Sequence, residues 1–319
     1  MRRFVGLGKA EATKGAGTTM STQSEAGDSL SAIMRERRQL INLAYRLLGS
    51  LADAEDVVQE TYARWYAMSP QQRKAIDSPG AWLTRVASRV CLDLLGSARM
   101  RRERYVGQWI PEPVPEPSEW VTADPADRVT LDESVSMAFL VVLESMTPAE
   151  RVAFVLHDVF RYSFAEVAEI VGRSPAACRQ LASSARRRID ASQAPPAPPA
   201  KRADIVRGFK EAWETKDINA LIGLLDPAVT ATGDGGGLVT AAPRPIGGNE
   251  HVAQYFIDLA RRAPGNMTFL ERTVNGQPGL VAQQDGATVA VLAFDIAEDR
   301  ITRIWAVLNP EKLRPWTAG

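Results

Sequence analysis

The chain has 319 residues, enough for two or three domains of ordinary size. Its 38 Lys and Arg balance 38 Asp and Glu, which excludes a uniformly basic nucleic-acid binder and makes any contact with DNA local. Two cysteines and two histidines give no metal-ligand spacing, and no apolar run reaches the length of a membrane span. Residues 1–29 are rich in Gly, Thr and Ser and lack a secretory apolar core, so a disordered extension is expected, with Met1 or Met20 as the start. Cys91 and Cys178 lie on apolar helix patterns and read as small buried hydrophobes of a reducing cytoplasm.

The next block, 30–105, is helical. Leu40, Leu43, Ala44 and Leu47 recur at helical spacing before Gly49, a C-cap residue. Asp53 stands where an N-cap belongs, and Val57, Val58, Thr61 and Trp65 form the next inward stripe. The other side of that helix carries Glu55, Asp56, Gln59 and Glu60. After "DSPG", Leu83, Val86, Ala87, Val90 and Leu94 form a third stripe, with Arg85, Ser88 and Arg89 on other faces. The run "ARMRRERY" follows, with Arg99, Arg101 and Arg102.

A Pro-rich linker, 106–131, opens with "WIPEP" and reads as an extended, semi-rigid spacer. The block 132–191 ends in a helix-turn-helix pattern: an apolar face on Phe164, Val167, Ala168 and Val171, a turn at Gly172, and Ser174-Pro175 opening the second helix. Cys178, Leu181, Ala182, Ala185 and Ile189 share an inward arc. Gln180, Ser183 and Arg187 lie opposite, with Arg179 and Arg186 at the edges: small and polar groups for a DNA groove, guanidinium groups for phosphates. His157, in "FVLHDVF", has no nucleophile or orienting partner in register and reads as structural.

A second Pro-rich linker, 192–202, precedes the block 203–319. This block has two helical segments with Asp217 as a cap, a later helix "NEHVAQYFIDLARR", and four strand-like runs separated by Gly-containing turns. The pattern is α+β with an antiparallel sheet. The "TGDGGG" run lacks the Lys-Ser/Thr ending of a phosphate loop, so its glycines are expected to admit another surface closely.

"LGSLADAEDVVQETYARWY" with "PGAWLTRVASRVCLDLL" resembles region 2 of extracytoplasmic-function (ECF) sigma factors, and 143–189 resembles their region 4. The tail resembles a SnoaL-like cone domain. "WIPEP", "DGGG" and "NPEKL" are similar to the signatures of the ECF group carrying that domain, with Leu238 where the group has Lys and Ser88-Arg89 where the family often has Arg-Asn. The resemblance implies a multidomain fold: a region 2 helical bundle, a region 4 helix-turn-helix, and an α+β cone. It implies a non-enzymatic, cytoplasmic sigma factor, monomeric when free, without cofactor or metal, that binds core RNA polymerase and promoter DNA. On it, Glu55, Asp56, Gln59 and Glu60 dock the β′ clamp helices, and the β flap is the second polymerase contact. Arg85, Arg89, Arg99, Arg101 and Arg102 serve the −10 element; Ser174, Arg179, Gln180, Ser183, Arg186 and Arg187 serve the −35 element. Trp109, Ile110 and Pro111 are expected to dock on the tail as an apolar anchor, forming with Asp234, Gly235, Gly236, Asn309, Pro310 and Lys312 an interdomain regulatory contact. A small ligand in the cone pocket stays open. The rival readings are a ligand-sensing helix-turn-helix regulator independent of polymerase, and a cyclase-like enzyme using Asp234, His251 or Asp295.

Overall fold

The computed structural model describes residues 36–102, 105–116, 135–192, 198–263 and 265–317, without the side chains of 98–102 and 192. The 1–29 extension, the side chains of Arg99, Arg101 and Arg102, and much of both linkers lie outside the described residues.

Helix α1 covers 36–48 and stops at Gly49, whose φ of 70° is the left-handed conformation that glycine adopts without penalty. Helix α2, Leu51–Ala67, starts earlier than the sequence reading had it. Ser50, not Asp53, is the N-cap: its backbone is extended and its hydroxyl accepts from Asp53 N at 3.2 Å. Asp53 instead lies in the first turn, where a carboxylate complements the helix dipole. After the short α3 (Pro70–Lys74), α4 (Pro79–Arg102) packs against α2 on one side and the second helical block on the other. That double contact widens its inward arc. Leu83, Thr84, Ala87, Ser88, Cys91 and Leu95 are buried, so Ser88 belongs to the core rather than to another face, and Leu94 is half-buried.

The second block holds α5 (Met137–Glu144), α6 (Pro148–Phe154), a π-helical turn (Val155–Val159), α7 (Phe164–Val171) and α8 (Pro175–Ser192). Reciprocal capping boxes start α6 at Thr147/Glu150 and α7 at Ser163/Glu166; Gly172, φ 69°, makes the turn into α8. One apolar core runs through both blocks, from Leu40 to Ile189. Buried Arg151 rivets them, donating to Leu47 O at 2.8 Å while pairing with Glu144 at 2.6 Å; burial holds its guanidinium down at about 9.

In the C-terminal domain, α9 (Pro199–Glu214), α10 (Ile218–Leu224, capped by Asp217) and α11 (Asn249–Arg262) cover one face of a six-stranded sheet. The strands are β1 (Leu225–Asp234), β2 (Ile246–Gly247), β3 (Met267–Val274), β4 (Gln277–Gln284), β5 (Ala287–Ala297) and β6 (Arg300–Val307), in the order β2-β1-β6-β5-β4-β3. The sheet is mixed, not antiparallel, because β1 pairs with β6 in parallel. Strand β1 escaped the sequence reading because Pro227 and Gly233 interrupt its period-two pattern. Between helices and sheet the space is filled by rings: Phe209 meets Trp213, Phe256 and Phe294 at 5.1–6.1 Å. The opposite face, with Val281, Val291, Ala293, Trp305 and Val307, is covered by Ile110 of the linker and Met137 of α5. The sheet therefore backs onto the sigma-like blocks, and a short helix, α12 (Arg314–Thr317), closes that seam.

Candidate functional site

The surface of α2 follows from its period. Ala54, Val57, Val58 and Thr61 are buried against the core, so Glu55, Asp56, Gln59 and Glu60 are all exposed on the side away from it. Glu60 also pairs with Arg64 one turn on, at 2.8 Å. Three carboxylates and one amide within two turns make a compact acidic patch suited to a basic partner helix.

The DNA candidates divide. On α8, Ser174, Arg179, Gln180 and Arg187 are exposed and Ser183 half-buried, and Ser174 caps the helix through Ala177 N at 3.2 Å. Together with Thr147 and Glu150, Arg179, Gln180, Ser183 and Arg187 line a groove of about 1100 Å³. Arg186 is not free: its Nε donates to Asp158 Oδ1 at 2.5 Å. Arg85 and Arg89 lie on α4 beside region 4. Arg85 pairs with Glu169 at 2.7 Å, and Arg89 donates to the Glu169 carbonyl at 2.8 Å.

The third cluster is built on a buried carboxylate. Asp234, fully buried at the end of β1, has four donors on its two oxygens. Tyr105 Oη (2.6 Å) and Gly236 N (3.0 Å) donate to Oδ1; Ile110 N (2.9 Å) and Lys312 Nζ (2.7 Å) donate to Oδ2. That fills the acceptor capacity of a carboxylate and accounts for its charge in the interior. Lys312 also donates to Ile110 O and lies 4.2 Å from the Trp109 ring centre, and Asn309 donates to Tyr105 Oη at 2.8 Å. Pro310 starts the turn that carries Lys312, whose N–H donates to Asn309 O. Gly235 O takes the N–H groups of Leu238 and Val239; a Cβ on Gly236 (φ 62°) would lie 2.3 Å from Asn309 Nδ2, and one on Gly237 2.9 Å from Val106. Ile110 and Pro111 are buried and Trp109 half-buried, so this stretch is a strap between two domains rather than only a semi-rigid spacer.

The strap continues beyond the residues singled out from sequence. Glu112 N donates to Gly49 O at 2.8 Å, and its carboxylate accepts from Leu51 N, the first residue of α2, at 2.8 Å. Burial pushes the Glu112 carboxyl up to about 7. Tyr45 Oη donates to Glu112 O at 2.7 Å and accepts from Asn275 Nδ2 at 2.8 Å; Val114 exchanges bonds with Asn275; Trp316 Nε1 donates to Pro113 O at 2.8 Å. The only signal for Asn275 was "NG", a turn. Its φ of 51° bears that out, but the pairing of its side chain across domains has no sequence signature.

The residues of the cyclase reading do not assemble. Asp234 is saturated by the seam, Asp295 pairs with Arg303 at 2.6 Å, and exposed His251 donates to Gly247 O at 3.2 Å. No group of three or more His, Cys, Asp or Glu that could hold a metal occurs among the described residues.

Two all-α blocks, one carrying the acidic helix and the other the helix-turn-helix, thus precede an α+β domain. The family Sigma-70 region 2 matches residues 32–101, and Sigma-70, region 4 matches 136–189. Over 290 residues the chain is 40% identical to the ECF RNA polymerase sigma factor SigJ of Mycobacterium tuberculosis, covering 86% of this chain and 90% of that one. It is 32% identical over 311 residues to SigG of the same species, covering 86% and 79%. The crystal structure of the M. tuberculosis extracytoplasmic function sigma factor SigJ superposes with a TM-score of 0.73 at 36% identity, over 90% of this chain and 98% of that one. The chain belongs to the ECF RNA polymerase sigma factors.

Proposed function

We propose that this chain is an alternative sigma factor that binds core RNA polymerase through α2, engages the −10 element through α4 and the −35 element through α8, and uses its tail to set the arrangement of the two regions. The single observation that carries the first step is the shared exposure of Glu55, Asp56, Gln59 and Glu60 on a helix whose other side buries Leu51, Ala54, Val57, Val58 and Thr61. By family analogy the partner is the clamp-helix pair of β′, with the β flap meeting region 4. Arg179 and Arg187 suit guanine, and Gln180 suits adenine. The chemistry of initiation belongs to the polymerase, in the cytoplasm. The tail acts in cis through the strap 105–116: its short connection keeps the local concentration high, on the order of millimolar. A small ligand would act from the 310 Å³ pocket between Val106, Gly107 and loop 233–243, since the cone interior is filled by rings.

The test is reconstitution of holoenzyme with full-length chain and run-off transcription. Asp56→Lys with Glu60→Lys is expected to abolish core binding while leaving the thermal transition within a few degrees of wild type. Unchanged core affinity would remove the α2 assignment. Lys312→Met is expected to alter transcription at equal core concentration; identical output would remove the regulatory role of the tail.

A further inference from the structure

The helix leading to the helix-turn-helix leaves α geometry at Val155–Val159, where Phe160 N reaches back to Val155 O at 3.1 Å. A π turn carries one extra residue, is rarely tolerated, and recurs at functional positions. Two consecutive side chains of this turn point toward the helix-turn-helix: Asp158 reaches Arg186 on α8, and His157 reaches Phe164 at the start of α7. His157 donates from Nδ1 to Tyr162 O at 2.8 Å, which fixes the ring plane, and it stacks on Phe164 with ring centres 3.8 Å apart and planes 24° from parallel. Arg179, in the second turn of α8, places its guanidinium carbon 5.2 Å from the centre of the same Phe164 ring. Asp158 holds Arg186 directly.

We propose that the π turn is a positioning element for DNA reading: His157, acting through Phe164, presets Arg179 for a base edge, and Asp158 withholds Arg186 from the phosphates. The proposal rests on the reading of α8 as the −35 helix. An exposed arginine has many rotamers, and ordering it on binding opposes association. An aromatic ring beneath the guanidinium confines it beforehand, and a second ring stacked on Phe164 confines that ring in turn. Arg186 and Arg187, adjacent in sequence, thereby acquire different duties: Arg187 is exposed and free for DNA, whereas Arg186 serves the fold.

The experiment uses holoenzyme reconstituted from core polymerase and full-length chain, with a duplex library randomised over the −35 interval; the readout is base preference at each position. Arg179→Ala is expected to erase preference at one or two positions. His157→Ala is expected to weaken preference at those same positions about two- to fivefold, to add nothing in the Arg179→Ala background, and to be rescued by His157→Phe. Asp158→Asn is expected to raise affinity uniformly across sequences and to steepen the salt dependence by about one phosphate contact. Loss of preference at all positions alike on His157→Ala, or the same loss with Arg179 already gone, means that His157 only supports folding and overturns the proposal. So does an unchanged preference. If Arg179→Ala itself changes nothing, the −35 assignment of that residue fails first; if Arg179→Ala acts and His157→Ala does not, only the positioning role fails.

Discussion

Two polar contacts join parts of this molecule that are distant in sequence, and they are built oppositely. At the seam between strap and tail, Asp234 is fully buried, Lys312 is 8% exposed, and both partners have further hydrogen bonds. Between regions 2 and 4, the Arg85–Glu169 pair is comparably short, but its side chains are 44% and 56% exposed. A buried pair gains little over apolar packing yet is expensive to break, because either partner left alone is a desolvated charge. An exposed pair is worth little either way. The tail is thus held as part of the fold, whereas the pair that touches the proposed −10 residues can be exchanged for other anions, DNA phosphates among them.

The largest effect tests the first half of that contrast. Asp234→Ala would leave the Lys312 ammonium, the Ile110 N–H and the Tyr105 hydroxyl without their acceptor. The expected loss is about 3–5 kcal/mol in urea unfolding. Asp234→Ala with Lys312→Met is expected to lose less than Asp234→Ala alone, since the stranded charge is gone. Equal losses would show that the seam does not depend on that charge.

Next in size is a pH effect at Glu112. Its carboxyl is raised from 4.5 to about 7 by burial, against the Leu51 N–H and Lys312, which favour the ionised form. In the unfolded chain it releases its proton near 4.5; in the folded chain it keeps it until about 7. Stability from this group is therefore fully present below pH 4.5, falls as pH rises from there to 7, and is lost above, by an amount on the order of 3 kcal/mol. Glu112→Gln retains an acceptor for Leu51 N and cannot ionise. Its melting temperature relative to wild type is expected to rise across that window and to level off above it; parallel curves would refute the shift.

A smaller loss is expected from Asn275→Gly, which keeps the positive φ comfortable but removes the acceptor of Val114 N and the donor to Tyr45 Oη. An orphaned buried donor costs about 1–3 kcal/mol, measurable by urea unfolding. The loss should be strongly non-additive with Tyr45→Phe.

How far these contacts were legible in the sequence follows from their physics. The faces of α2 and α8 could be read because a periodic apolar arc fixes which side chains turn outward: Val57 and Thr61 inward send Asp56 and Glu60 out; on α7 the arc is shifted, with Ile170 buried and Phe164 and Val171 half-buried. The strap's anchors Trp109, Ile110 and Pro111, and the partners Asp234 and Lys312, could be named because "WIPEP", "DGGG" and "NPEKL" resemble the signatures of the ECF group that carries such a tail. Tyr45, Glu112, Asn275 and Trp316 could not. Each is ordinary in its own segment and becomes special only through a bond to a residue 61 to 230 positions away. Strand β1 was missed for a local reason: its neighbour in the sheet, β6, supplies the pairing that its own Pro- and Gly-broken sequence does not advertise.

The smallest expected effect probes the other half of the contrast. Glu169→Gln removes the charge facing Arg85 but leaves the Glu169 carbonyl, so the bond from Arg89 survives. Holding two long exposed side chains in one geometry offsets most of the attraction between them, so the loss should stay under about 1 kcal/mol and shrink as salt is added. The apolar core shared by α4, α6 and α7 is untouched by the change and keeps the regions together. A loss as large as that of Asp234→Ala would mean that the regions are closed by this one pair rather than by the core, and the two contacts would then be of one kind.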